Sequence, residues 1–139
     1  TCPAAGQWEL VSSAAMERVE GIGGIFFRAR NPQALAKWYE DNLGITNVET
    51  GGPWTQQAGM TVFSPFPADT DYFGTDQHMM LNFRVGDLDA MLAQLRAAGA
   101  ATDDKIVEET YGRFGYASDP EGNRFELWQP LEPPSAVSG

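Results

Sequence analysis

Apolar and polar positions follow the same order twice along the chain. Each copy opens on an apolar run, residues 22–29 (IGGIFFRA) and 79–85 (MMLNFRV). Both runs read as strands. A helix start follows. Asn31-Pro32 places an N-cap before a proline at the first helical position, and Asp87 or Asp89 can cap the second helix. Leu35, Trp38, Tyr39, Asn42 and Leu43 then recur at helical spacing, as do Leu88, Met91, Leu92 and Leu95. Gly44 and Gly99 stand where a glycine ends a helix. Strand-like runs come next, at 46–50 and 60–63 in the first copy and at 105–109, 113–117 and 124–128 in the second. Between the last two, Ser118-Asp119-Pro120-Glu121-Gly122-Asn123 has the chemistry of a hairpin turn.

The two copies are related in sequence. Phe27-Arg28-Ala29-Arg30-Asn31 matches Phe83-Arg84-Val85-Gly86-Asp87 at an offset of 56, and the match runs on through Ala34/Ala90, Leu35/Met91 and Ala36/Leu92. The pattern predicts a duplicated unit, βαβββ–βαβββ, within one α+β domain. Residues 20–66 and 78–131 form the two units, and 67–77 link them. Residues 1–19 lack a sustained period and read as an N-terminal extension, with Met16 a candidate start. Residues 132–139 read as a tail. The joining stretch 64–77 (SPFPADTDYFGTDQ) has loop composition but carries Phe66, Tyr72 and Phe73. Such a loop either folds over a pocket or packs its aromatics outside a sheet.

Composition narrows the chemistry. Of 139 residues, 9 are Lys or Arg and 19 are Asp or Glu, giving a net charge of −10. That charge opposes binding to nucleic acid or to anionic membranes. There is one Cys (Cys2) and one His (His78), so no internal disulfide and no Cys/His-rich metal cluster can form. With neither a signal-peptide pattern nor a 20-residue apolar span, a cytoplasmic location is expected.

Three segments resemble the vicinal oxygen chelate superfamily, which includes glyoxalase I, bleomycin-resistance proteins and extradiol dioxygenases. GIGGIFFRARNPQALAKWYEDNLGI is similar to its first strand and helix, and NFRVGDLDAMLAQLRAAGA to the start of its second module. YGRFGYASDPEGNRFELWQP is similar to its closing hairpin. The resemblance spans about residues 19–131. It implies two βαβββ modules whose curved mixed sheet forms a cup, commonly completed in a homodimer. In metal-dependent members, four side chains in the cup hold a divalent ion that acts as a Lewis acid.

Carried onto this chain, those four positions fall at Gly24, at Met80, within 62–64, and at Glu126. Only Glu126 is a usual ligand for a hard divalent ion, since glycine has no ligating side chain and Met is soft. The expectation is therefore a small-molecule cup without the usual four-ligand site and with no cofactor. A divalent metal in a shifted site, with His78 and Glu126 and with Gln77 or Gln129, is the weaker candidate, and otherwise His78 is an ordinary strand-edge residue. The functional alternative is a metal-dependent or Glu126-dependent lyase, isomerase or dioxygenase of the glyoxalase type.

Glu126 and Trp128 alternate with Leu127 and so share a face. Beside aromatic walls, Glu126 is a candidate acid–base residue or an anchor for a cationic group. It can equally pair with Arg28, Arg84 or Arg113. Arg28 and Arg84, at matching repeat positions, are candidate clamps at the cup rim or partners of Asp41 or Asp87. Met80, Phe63, Tyr116 and Trp128 complete the candidate ligand-binding set with His78. Tyr111, Tyr116 and Trp54 can line the cup, although a core role is the simpler expectation. The expected ligand is a small molecule of cationic or aromatic character.

Overall fold

The computed structural model describes residues 16–131. Helix α1 covers Pro32–Leu43 and helix α2 covers Leu88–Ala97. Strands β1 (Leu81–Arg84), β2 (Val107–Glu109), β3 (Gly112–Ser118) and β4 (Arg124–Pro130) form one mixed sheet in the order β1-β4-β3-β2. β1 runs parallel to β4, and the other neighbours are antiparallel. The second unit thus forms as the sequence predicts, and the α+β class stands.

The helix boundaries follow the capping chemistry. Asn31 accepts from the Ala34 amide at 3.1 Å, and Asp87 accepts from that of Ala90 at 3.0 Å. Each supplies one of the partners that a helix N-terminus lacks. Gly44 ends α1 at φ 70°, a left-handed conformation that glycine adopts without a Cβ penalty.

Strand alternation divides the sheet into two faces. On one, Phe125, Leu127 and Ala117 pack against Leu88, Leu92 and Leu95 of α2, all at most 2% exposed. Trp38 and Leu43 of α1 close over this core. Gly115 lies beneath α2, where an added Cβ would meet Leu92 Cδ1 at 3.1 Å and Leu88 Cδ1 at 3.2 Å, so the missing side chain lets the helix sit close. Truncating any of these buried leucines to alanine costs about 2–5 kcal/mol. The opposite face carries Asn82, Arg84, Glu126, Trp128, Phe114 and Tyr116.

A buried carboxylate joins the two units. Asp119, at the β3–β4 turn, accepts from the Tyr39 hydroxyl at 2.6 Å, from the Glu121 and Asn123 amides at 2.8 and 3.0 Å, and from Asn123 Nδ2 at 2.8 Å. The next turn residue, Glu121, accepts from the amides of Arg30 and Asn31 at 2.6 and 2.9 Å. The closing hairpin therefore fixes where α1 begins.

The first unit departs from its predicted strands. Residues 46–50 form a turn, with Asn47 at φ 63° and its side chain donating to the Pro53 carbonyl at 2.7 Å. Asparagine tolerates that conformation, and here local turn bonding replaces a ladder. Residues 22–29 and 60–63 lack a ladder partner among the described residues and are not strands. Phe26, Val62 and Phe63 are 94%, 72% and 86% exposed. The predicted extension 1–19 lies mostly, and the tail 132–139 wholly, outside the described residues.

Candidate functional site

Strand register builds the site. Asn82 of β1 and Tyr116 of β3 both lie opposite Glu126 of β4, so the three form a row across the sheet. The adjacent row is Arg84, Trp128 and Phe114. Trp128 stacks on Phe114 with ring centroids 6.0 Å apart and planes 4° from parallel, and its indole N–H donates to the Tyr111 carbonyl at 3.1 Å. Glu126 and Trp128 share a face, as their alternation predicts.

Glu126 is 8% exposed, and a carboxylate so buried requires partners. Asn82 Nδ2 donates to Oε1 at 2.6 Å, and the Tyr72 hydroxyl donates to Oε2 at 2.5 Å. Tyr72 also hydrogen-bonds to the Tyr116 hydroxyl. A phenol has one proton to give. Tyr72 uses its one O–H to donate to the carboxylate, so Tyr116 donates to Tyr72, and the chain of hydrogen bonds runs Tyr116 to Tyr72 to Glu126. Burial first, and then the hydrogen bond to Glu126, push the Tyr72 phenol far above the ordinary tyrosine range. Burial likewise raises Tyr116. Arg124, held by both Asp103 oxygens at 3.0 Å, places its guanidinium over the Tyr116 ring at 4.5 Å.

Tyr72 comes from the joining segment, which folds over this face with Phe66 and Phe73 beside it. Between segment and sheet lies a cavity of about 580 Å³. Its walls include Phe66, Phe73 and Met80, several polar side chains, His78 and Asn82 among them, and Glu126 as the sole carboxylate. Of the two readings of the aromatic loop, the structure has the one that covers a pocket.

Several candidates sit elsewhere. Arg84 donates to the carbonyls of Gln57 and Ala58 at 2.8 and 3.3 Å, and so holds a loop instead of a ligand or Asp87. Arg113 pairs with Asp89, and Asp41 pairs with Lys37. Arg28 is exposed and makes no hydrogen bond or ion pair among the described residues. None of the three arginines pairs with Glu126, whose partners are neutral. Phe63, Tyr116 and Trp128 lie outside the cavity lining, although Val62 and Ser64 are in it. Trp54 and Tyr111 are 41% and 59% exposed, so neither fills a core. Tyr72 and Asn82 were not among the sequence candidates. Asn82 follows Met80 by two residues on the same strand face, a signal that was available.

The donor set does not fit the superfamily's divalent ion. Gly24 and residues 62–64 offer no ligating carboxylate or imidazole. Gln77 is committed to the β4 backbone, accepting from the Arg124 amide at 3.1 Å and donating to its carbonyl at 2.7 Å. Gln129 accepts from the Leu88 amide at 2.8 Å. His78 precedes β1 and joins Glu126 only as a second member of the cavity wall. No group of three or more His, Cys, Asp or Glu among the described residues could hold a metal.

Fold and site together describe an α+β protein with one open four-stranded mixed sheet and one buried carboxylate facing a pocket. The family model for the glyoxalase-like domain matches residues 24–128, and the chain belongs to that family, within the vicinal oxygen chelate superfamily. A glyoxylase/bleomycin resistance protein/dioxygenase domain from Frankia sp. EAN1pec has the same fold. It aligns with a TM-score of 0.53 at 18% identity, over 82% of this chain and 100% of that one. TnmS3, an antibiotic-binding protein from Streptomyces sp. CB03234, aligns at 28% identity over 73% of this chain and 88% of that one, with a TM-score of 0.44. A glyoxalase/bleomycin resistance protein from the same Streptomyces aligns at 39% identity with a TM-score of 0.33. That alignment covers 35% of this chain, which spans 42% of that protein. No curated protein matches the chain. No helix among the described residues is long and apolar enough to cross a membrane.

Proposed function

We propose that the protein binds a small aromatic molecule in the cavity between the joining segment and the sheet, with Glu126 as its polar anchor. The observation that carries this reading is the placement of Glu126. It is buried, oriented from both oxygens, and the sole carboxylate in an otherwise neutral wall of mixed apolar and polar residues. Apolar walls with a few placed polar groups are the usual make-up of a ligand pocket. The carboxylate and the net charge of −10 both oppose an anionic ligand. A ligand bearing a hydroxyl or an ammonium satisfies the site, and the donor set gives no reason to route its binding through a metal.

Calorimetric titration with 2-naphthol, 1-naphthylmethylamine and 2-naphthoate tests this. The alcohol and the amine are expected to bind, the carboxylate to fail, and Glu126→Gln to weaken the binders about tenfold. Equal binding of the carboxylate, or an unchanged affinity in Glu126→Gln, would overturn the reading.

The working unit in this proposal is a homodimer. The exposed Phe26, Val62 and Phe63 support it, because an apolar surface of that kind is usually covered.

A further inference from the structure

The joining segment is tied to the sheet in an unusual way. Residues 64–76 contain no helix or strand. Their backbone bonds are local, from the Thr70 amide to Pro67 O and from the Gln77 amide to Gly74 O. The Tyr72 amide bonds to Thr70 Oγ1 within the same segment. Among the described residues, one side chain of 64–76 hydrogen-bonds to the sheet: the phenol of Tyr72, on Glu126 and Tyr116. Gln77, clamped to the Arg124 backbone, fixes the end of the segment.

Tyr72 is not itself in the cavity lining, but its hydroxyl occupies one of the two oxygens of Glu126, the carboxylate that a ligand in this cavity would meet. Its ring stands edge-on to Tyr116 at 5.9 Å and tilted against Phe66 at 5.5 Å, so the aromatic body has a place as well as the hydroxyl. A phenol on a carboxylate, flanked by aromatic rings, is itself a picture of a bound ligand. We propose that Tyr72 is a built-in occupant of the Glu126 site, and that the ligand is a phenol whose hydroxyl takes over the Tyr72 hydrogen bond while segment 64–76 yields. This rests on the reading of Glu126 as anchor and adds to it the ligand's chemical class and the residue that competes with it. The exchange conserves bonding where the ligand hydroxyl takes both roles of Tyr72: its O–H donates to Oε2, its oxygen accepts from Tyr116, and each proton stays on its own oxygen.

The consequence is specific. Tyr72→Phe keeps the ring and its aromatic contacts and deletes the competing hydroxyl. A hydrogen bond to a charged acceptor is among the stronger neutral-donor contacts, so freeing it changes affinity measurably. The test titrates wild type and Tyr72→Phe with 2-naphthol and with 2-methoxynaphthalene, which has the same body and no donor. Naphthol is expected to bind Tyr72→Phe about tenfold more tightly than wild type, with the methoxy compound changed less than twofold. Hydrogen exchange in 64–76 is expected to rise when naphthol is added to wild type.

An unchanged or weaker naphthol affinity in Tyr72→Phe would make Tyr72 a wall of the site and overturn the proposal. An equal gain for the methoxy compound would do the same, as would slower exchange in 64–76. If 1-naphthylmethylamine gains in Tyr72→Phe while naphthol does not, the phenolic class is wrong and the Glu126 anchor survives. If Glu126→Gln leaves every probe unaffected, the anchor itself fails.

Discussion

The Tyr72 phenol donates a hydrogen bond to Glu126 Oε2 at 2.5 Å, joining a loop to a strand 54 residues further along the chain. A buried carboxylate left without that donor and Asn82 would carry a desolvation cost of order 1–3 kcal/mol, more if charged. The contact therefore serves folding in the absence of a ligand, and it sits where a ligand's donor belongs.

Alkaline stability follows from the phenols. Tyr39, Tyr72 and Tyr116 all titrate above the ordinary value of 10.0, chiefly through burial, with hydrogen bonds to Asp119 and Glu126 adding to the shift for Tyr39 and Tyr72. Above pH 10 the unfolded chain releases these protons before the folded one does. The folded state then holds more protons, and stability falls as pH rises. Urea midpoints are expected to be level in this respect below pH 9 and to decline past pH 10, with a shallower decline in Tyr72→Phe. A midpoint that rises above pH 10 would contradict this.

Asp119 is the second sensitive carboxylate. Its four hydrogen bonds tie Tyr39 of α1 to the β3–β4 turn. Asp119→Ala leaves the Tyr39 hydroxyl and two amides without an acceptor and is expected to cost about 2–4 kcal/mol in urea unfolding. Naphthol affinity measured well below the unfolding midpoint should stay within twofold, because Asp119 lies outside the cavity lining.

The exposed apolar residues of the first unit predict an association. Sedimentation is expected to give twice the chain mass for wild type and the chain mass for Phe26→Asp/Phe63→Asp. A wild-type sedimentation mass of 15.2 kDa at all concentrations would remove the homodimer.

Local chemistry made much of this legible in the sequence. Asn31, Pro32 and Gly44 bound α1 as their capping roles require, and alternation alone put Glu126 and Trp128 on one face. What escaped was non-local. An apolar run such as 22–29 becomes a strand only when a ladder partner reaches it, and Asn47 spent the neighbouring run on a turn. Arg84 occupies the expected strand position, but its long side chain reaches loop carbonyls that no spacing reveals. Tyr72 lies in a segment without periodicity, so its aromatic content marked it while its partner stayed hidden until the chain folded.

The central claim is that a ligand meets Glu126. Glutamate labelled with ¹³C at Cδ gives a carboxyl resonance for each glutamate, and the Glu126 signal is assigned by its loss in Glu126→Gln. On adding 2-naphthol to the wild-type protein, that resonance is expected to shift as the donor on Oε2 is exchanged, while those of exposed glutamates such as Glu108 stay in place. Saturable naphthol binding that leaves the Glu126 resonance unmoved would contradict the account.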